Sequence, residues 1–176
     1  MVLYHHAHMS DLARRVDGLV AEHEDRLVAL RRDLHAHPEV SWQERATTAR
    51  LRAVFEDAGL RVRTFDGPGL CVDLGPQPDA ADGTPQVIAL RADIDALPLT
   101  ETSRLPFASR TDSACHACGH DIHATALVGA TLALAEIDAA EGLPAPVRCL
   151  FQPAEEVQPG GAQALMAEHV LDGVRG

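Results

Sequence analysis

Two short runs, Val87-Ile88-Ala89-Leu90 and Val147-Arg148-Cys149-Leu150-Phe151, decide the fold. Both are almost continuously apolar. Successive side chains of a strand point to opposite faces, so a strand without polar alternation is one expected to be covered on both sides. Between the two runs, residues 121–137 read as an amphipathic helix, and a further helix is predicted over 161–171. Strand, helix, strand, helix is the order of an α/β domain with a central, mainly parallel sheet flanked by helices.

Towards the N-terminus, Leu12, Val16, Leu19, Val20, Leu27, Leu30 and Leu34 recur at helical spacing and predict a long helix over 11–35, ending before Pro38. Ser41 followed by Glu44 has the form of a capping box, and residues 42–58 then read as a second helix stopped by Gly59. Short β-rich runs at 61–65 and 70–74, separated by Asp66-Gly67-Pro68-Gly69, predict a hairpin at a sheet edge. A polar loop covers 76–84. Residues 1–10, with His5, His6 and His8, are expected to be a disordered leader.

Composition narrows the function. The chain has 176 residues, 46% of them hydrophobic and 23% charged, enough to bury a core of its own. A net charge of -11 argues against nucleic acid and against an anionic membrane surface as partners. All 15 basic residues are arginine, which excludes Walker-type phosphate loops, Schiff bases and kinase-type lysines within this chain. No apolar run reads as long enough to span a bilayer and residues 1–9 do not resemble a signal peptide, so a cytoplasmic protein is expected. Cys71 and Cys149 fall in apolar runs and read as buried thiols rather than a disulfide frame.

The chemistry concentrates where the strands end. Cys115-His116-Ala117-Cys118-Gly119-His120-Asp121-Ile122-His123 packs thiol, imidazole and carboxylate groups immediately before a helix. An extended backbone at Gly119 could aim Cys118 and His120 at one metal ion, and a helix start favours anionic groups. A redox pair of Cys115 and Cys118, half of a zinc ribbon and chance are the competing readings. Phe151-Gln152-Pro153-Ala154-Glu155-Glu156 ends the second buried run with two adjacent carboxylates. One could bind metal while the other serves as a base, or both could be a solvated acidic pair. Asp93 and Asp95 after the first run either orient ligands or cap backbone amides. His35 and His37 suit packing and polar contact at a helix end. There is no G-x-S-x-G elbow, no H-E-x-x-H helix and no dinucleotide fingerprint.

Taken in order, Leu34-His35-Ala36-His37-Pro38-Glu39, Leu90-Arg91-Ala92-Asp93-Ile94-Asp95-Ala96-Leu97-Pro98, His116-Ala117-Cys118-Gly119-His120-Asp121 and Phe151-Gln152-Pro153-Ala154-Glu155-Glu156 resemble the aminoacylase/carboxypeptidase-type dinuclear metallohydrolases. The likeness is to the branch of hippurate hydrolase, N-acyl-amino-acid amidohydrolases and auxin-conjugate hydrolases. It implies that Cys118, His120 and Glu156 are metal ligands and that Glu155 is the general base. It also implies two divalent ions, zinc or manganese with nickel or cobalt as alternatives, a small N-acyl amino acid as substrate, and a homo-oligomeric full-length protein. Other branches carry a ligand histidine two residues before the aspartate matching Asp93, where this chain has Arg91. By the resemblance, residues 11–176 correspond to the N-terminal part of a catalytic domain whose remaining ligand histidines and lid or dimerisation domain lie further on. The segment alone is then expected to be inactive. A truncated, non-catalytic metal-binding remnant or interaction module is the rival reading.

Overall fold

The structure, a computed structural model, describes residues 13–77 and 87–175; the expected leader and most of the 76–84 loop lie outside them. Its elements are α1 (Glu24–Ala36), α2 (Arg45–Asp57), β1 (Val62–Thr64), β2 (Leu70–Leu74), β3 (Ile88–Asp93), α3 (His120–Glu141), β4 (Val147–Gln152) and α4 (Gly161–Ala167). Residues 13–22 are helical as well, but a turn at His23 separates them from α1, so the predicted long helix is two pieces. The His23 ring sits 2.7 Å from Glu136 of α3, tying that break to the core helix.

The four strands form one sheet in the order β1-β2-β4-β3. The α/β class holds, and the sheet is mixed: β3 and β4 are parallel, joined through α3, while β1–β2 and β2–β4 are antiparallel. The expected parallel sheet is therefore confined to the β3–β4 pair. The predicted hairpin forms, with β1 at the edge, but its second strand inserts beside β4 instead of remaining peripheral.

Register explains the apolar runs. Leu70, Val72 and Leu74 pair with Phe151, Cys149 and Val147, and their side chains share one face; Cys71 and Leu150 pair on the other. The first face packs on Leu34 of α1, Leu51 and Phe55 of α2, and Ala124, Leu127, Val128 and Leu132 of α3. The second packs on Leu165 and Val170. Thus β2 and β4 are covered on both faces, as their sequences require. β3 is not: Ile88 is 48% exposed, and Ala89 and Leu90 are half-buried, because β3 is the other edge of the described sheet.

By length and composition α3 could cross a membrane, contrary to the sequence expectation, yet half of its most apolar window is buried inside the protein. It is the core helix, packed on α1 and β3.

Candidate metal centre

Because β3 and β4 are parallel neighbours, both deliver the residues that follow them to the same end of the sheet. The Ile94 amide donates to the Gln152 carbonyl at 3.0 Å, holding the two exits together. Asp95 leaves on one and Glu155-Glu156 on the other. The third contributor is the start of α3, where Gly119 is the N-cap with φ 87° and ψ 12°. The backbone there is left-handed rather than extended, a conformation glycine adopts without the Cβ penalty. This turn puts Cys118 before the helix and His120 in its first turn on a common side.

One ligand atom each of Cys118, His120 and Glu156 lies within 4.8 Å of the other two. The Nε2 of His120 is 3.9 Å from Glu156 Oε1 and 4.0 Å from Glu155 Oε2. Glu155 is the more open of the pair, its side chain 41% exposed against 26% for Glu156. The structure thus brings together all four site residues expected from sequence. Asp93 stays apart, paired with Arg91 at 2.8 Å.

Asp95 organises the cluster and does both of the jobs the sequence left open. Its Oδ2 accepts the Ser41 hydroxyl at 2.7 Å and the Glu156 amide at 3.0 Å. Its Oδ1 and carbonyl oxygen lie 3.1 and 3.0 Å from His120 Nδ1. The Cys118 thiol reaches the same carbonyl at 3.7 Å. Burial would raise the Asp95 carboxyl, but the hydrogen bonds from His120, Ser41 and the Glu156 amide outweigh it and hold it down to about 2. In return the Asp95 carboxylate, followed by the Cys118 sulfur, lifts His120 to about 11. With Nδ1 engaged by a carboxylate, Nε2 is the nitrogen turned to the glutamates, the arrangement that orients a metal-binding histidine. Thiol, imidazole and carboxylate around one point form a donor set that fits a divalent transition metal.

The supporting residues take partners that the sequence did not specify. The Ser41–Glu44 capping box does not form, since Ser41 is spent on Asp95, and Glu39 instead accepts the Ala46 and Thr47 amides at 3.1 and 2.6 Å. Glu44 is completely buried and accepts the Ala154 amide at 2.8 Å. His35 bridges Asp121 at 2.8 Å and Glu101 at 3.2 Å, pinning the end of α1 to the start of α3 and to the 97–118 loop. His116 is buried against His35, and both its ring nitrogens lack partners among the described residues. Desolvation pushes it down to about 4, so it is neutral at pH 7.

Residues 89–175 match the peptidase family M20/M25/M40. The chain is 44% identical over 149 residues to N-acetylcysteine deacetylase of Bacillus subtilis, covering 85% of this chain and 38% of the relative. It is 49% identical over 152 residues to a Rhodococcus jostii protein carrying a provisional glutamate–cysteine ligase name, covering 86% of this chain but 18% of that one. A solved Bacillus subtilis structure, described as a dinuclear metal-binding peptidase of the M20 family, superposes with a TM-score of 0.77 at 40% identity, over 85% of this chain and 40% of its own. Fold and sequence agree: the chain matches a mixed α/β segment of these relatives. Over residues 89–175 the chain is similar to peptidase family M20/M25/M40. It spans between 18% and 40% of the length of these relatives.

Proposed function

We propose that this protein is a metal-dependent amidohydrolase that cleaves the amide bond of small N-acyl amino acids or similar conjugates. Cys118, His120 and Glu156 contribute to a two-ion centre and Glu155 is its general base. The observation that carries this reading is the meeting of a thiol, an imidazole and a carboxylate from separate segments within 4.8 Å, with a second glutamate beside them. The deacetylase relative supports an N-acyl substrate.

Divalent ions held there, zinc by the softness of the thiolate or manganese by supply, would polarise the acyl carbonyl and make a water acidic enough to ionise near neutrality. Asp95 fixes the His120 ring so that Nε2 faces inward. Glu155, whose carboxylate accepts no backbone amide among the described residues and is open to solvent, takes the proton of the attacking water and returns it to the departing amine. Such acid–base work is worth roughly 10²–10⁴ in rate. We assign the protein to the cytoplasm, where its four free cysteines stay reduced, and to a homo-oligomer.

The test is release of free amino acid from a panel of N-acetyl amino acids by the full-length protein that contains this segment, before and after dialysis against a chelator. Turnover should cease on metal removal and return with zinc or manganese. Undiminished turnover in metal-free protein would refute the proposal.

A further inference from the structure

The turn Ser41-Trp42-Gln43-Glu44, leading into α2, grips the surroundings of the glutamate pair at three points. Ser41 holds Asp95, which accepts the Glu156 amide. The Trp42 indole N–H donates to the Pro159 carbonyl at 3.3 Å, beyond the pair. Glu44 accepts the Ala154 amide, immediately before it. Ala154 is fully buried and left-handed, with φ 49°. That conformation is strained for a non-glycine residue and persists only where neighbours impose it. On its other side the Ala154 carbonyl accepts the Gly161 amide at 2.9 Å. Gly161 passes so close that an added Cβ would lie 1.9 Å from the Pro153 carbonyl oxygen. The loop bearing Glu155 and Glu156 is therefore clamped at its base, and the Ala154 peptide sets the direction in which both side chains leave the sheet.

We propose that Glu44 is a positioning residue for the glutamate pair: by anchoring the left-handed Ala154 peptide it aims Glu156 at Cys118 and His120 and leaves Glu155 beside them. This inference rests on the metal-centre reading above. A plain helix-capping role does not account for Glu44, since it sits at the N-cap of α2 without a side-chain cap bond and Glu39 already takes that helix's free amides. One Glu44 oxygen serves Ala154, while the other is buried without a partner among the described residues. Burial pushes the carboxyl up to about 7. The Ala154 amide uses one acceptor oxygen, which glutamine keeps and leucine lacks, so glutamine should replace Glu44 and leucine should not.

The experiment measures zinc affinity of the intact protein by chelator competition, with circular dichroism of the metal-free protein confirming the fold. Glu44→Gln should bind within about threefold of wild type, and Glu44→Leu about tenfold or more weakly, as expected when support behind a ligand is lost. In a Glu156→Gln background the Glu44→Leu effect should vanish, because the residue it acts through is gone. An equal loss in both backgrounds would make Glu44 merely structural and overturn the proposal, as would wild-type affinity in Glu44→Leu. Should Glu44→Leu not fold, loss of affinity in folded Glu44→Gln would overturn it and retention would support it. Cys118→Ser and Glu156→Gln separate the two levels. If neither weakens zinc binding, the metal-centre reading fails; if both do and Glu44→Leu does not, only the role of Glu44 fails.

Discussion

Replacing Glu44 by glutamine should remove a loss of folding stability that accompanies rising pH above 4.5. The Glu44 carboxyl is raised from 4.5 to about 7, above all by desolvation. Between those values the folded protein retains a proton that the unfolded chain releases, so this group's contribution declines as pH rises. At about 1.4 kcal/mol per unit, the decline across the window reaches about 3 kcal/mol. His116 opposes it: its folded value is depressed to about 4, so its contribution grows as pH rises from there towards 6.5. The wild-type curve alone thus mixes two opposed slopes, and the difference between wild type and Glu44→Gln isolates Glu44. Urea unfolding followed by circular dichroism, in chelator at several pH values from about 4.5 to 7.5, measures it. Relative to wild type, the variant should gain up to about 3 kcal/mol between the ends of that range. A gap that does not change with pH would refute the burial argument.

Two further outcomes follow from packing and from the hub at Asp95. Asp95→Asn keeps size but removes the charge that orients His120 and accepts the Ser41 hydroxyl and the Glu156 amide, so zinc affinity by chelator competition should fall roughly 10–100-fold. Phe151→Ala removes a fully buried ring whose centroid lies 5.3 Å from that of Phe55, and should lower the urea-unfolding free energy by about 3–5 kcal/mol.

The strands that bind this fold were legible because β4 is buried on both faces and its sequence has no polar alternation. Strand direction was not, since an apolar run is the same whichever way its neighbour points; the insertion of β2 beside β4 is a tertiary choice. The break at His23 and the left-handed Gly119 were equally hidden, one because no glycine or proline marks it, the other because glycine permits many conformations. At the site, Cys118, His120, Glu155 and Glu156 stood out as metal-ligating or acidic types at element ends. Glu44 and Ser41 did not, because their pattern suited a local cap, and only the approach of the Ala154 and Asp95 segments gave them other partners. The pairing of His35 with Asp121, 86 positions apart in sequence, needs the packing of α1 on α3.

The central claim is a division of labour between two adjacent glutamates, and metal content measured beside turnover tests it most directly. Glu155→Gln and Glu156→Gln of the intact protein would be dialysed, analysed for zinc and manganese, and assayed on an N-acetyl amino acid. Glu155→Gln should retain its metal while kcat falls by roughly 10²–10⁴. Glu156→Gln should lose metal and activity together, with partial recovery in excess metal. An emptied site in Glu155→Gln beside a full one in Glu156→Gln would contradict the account.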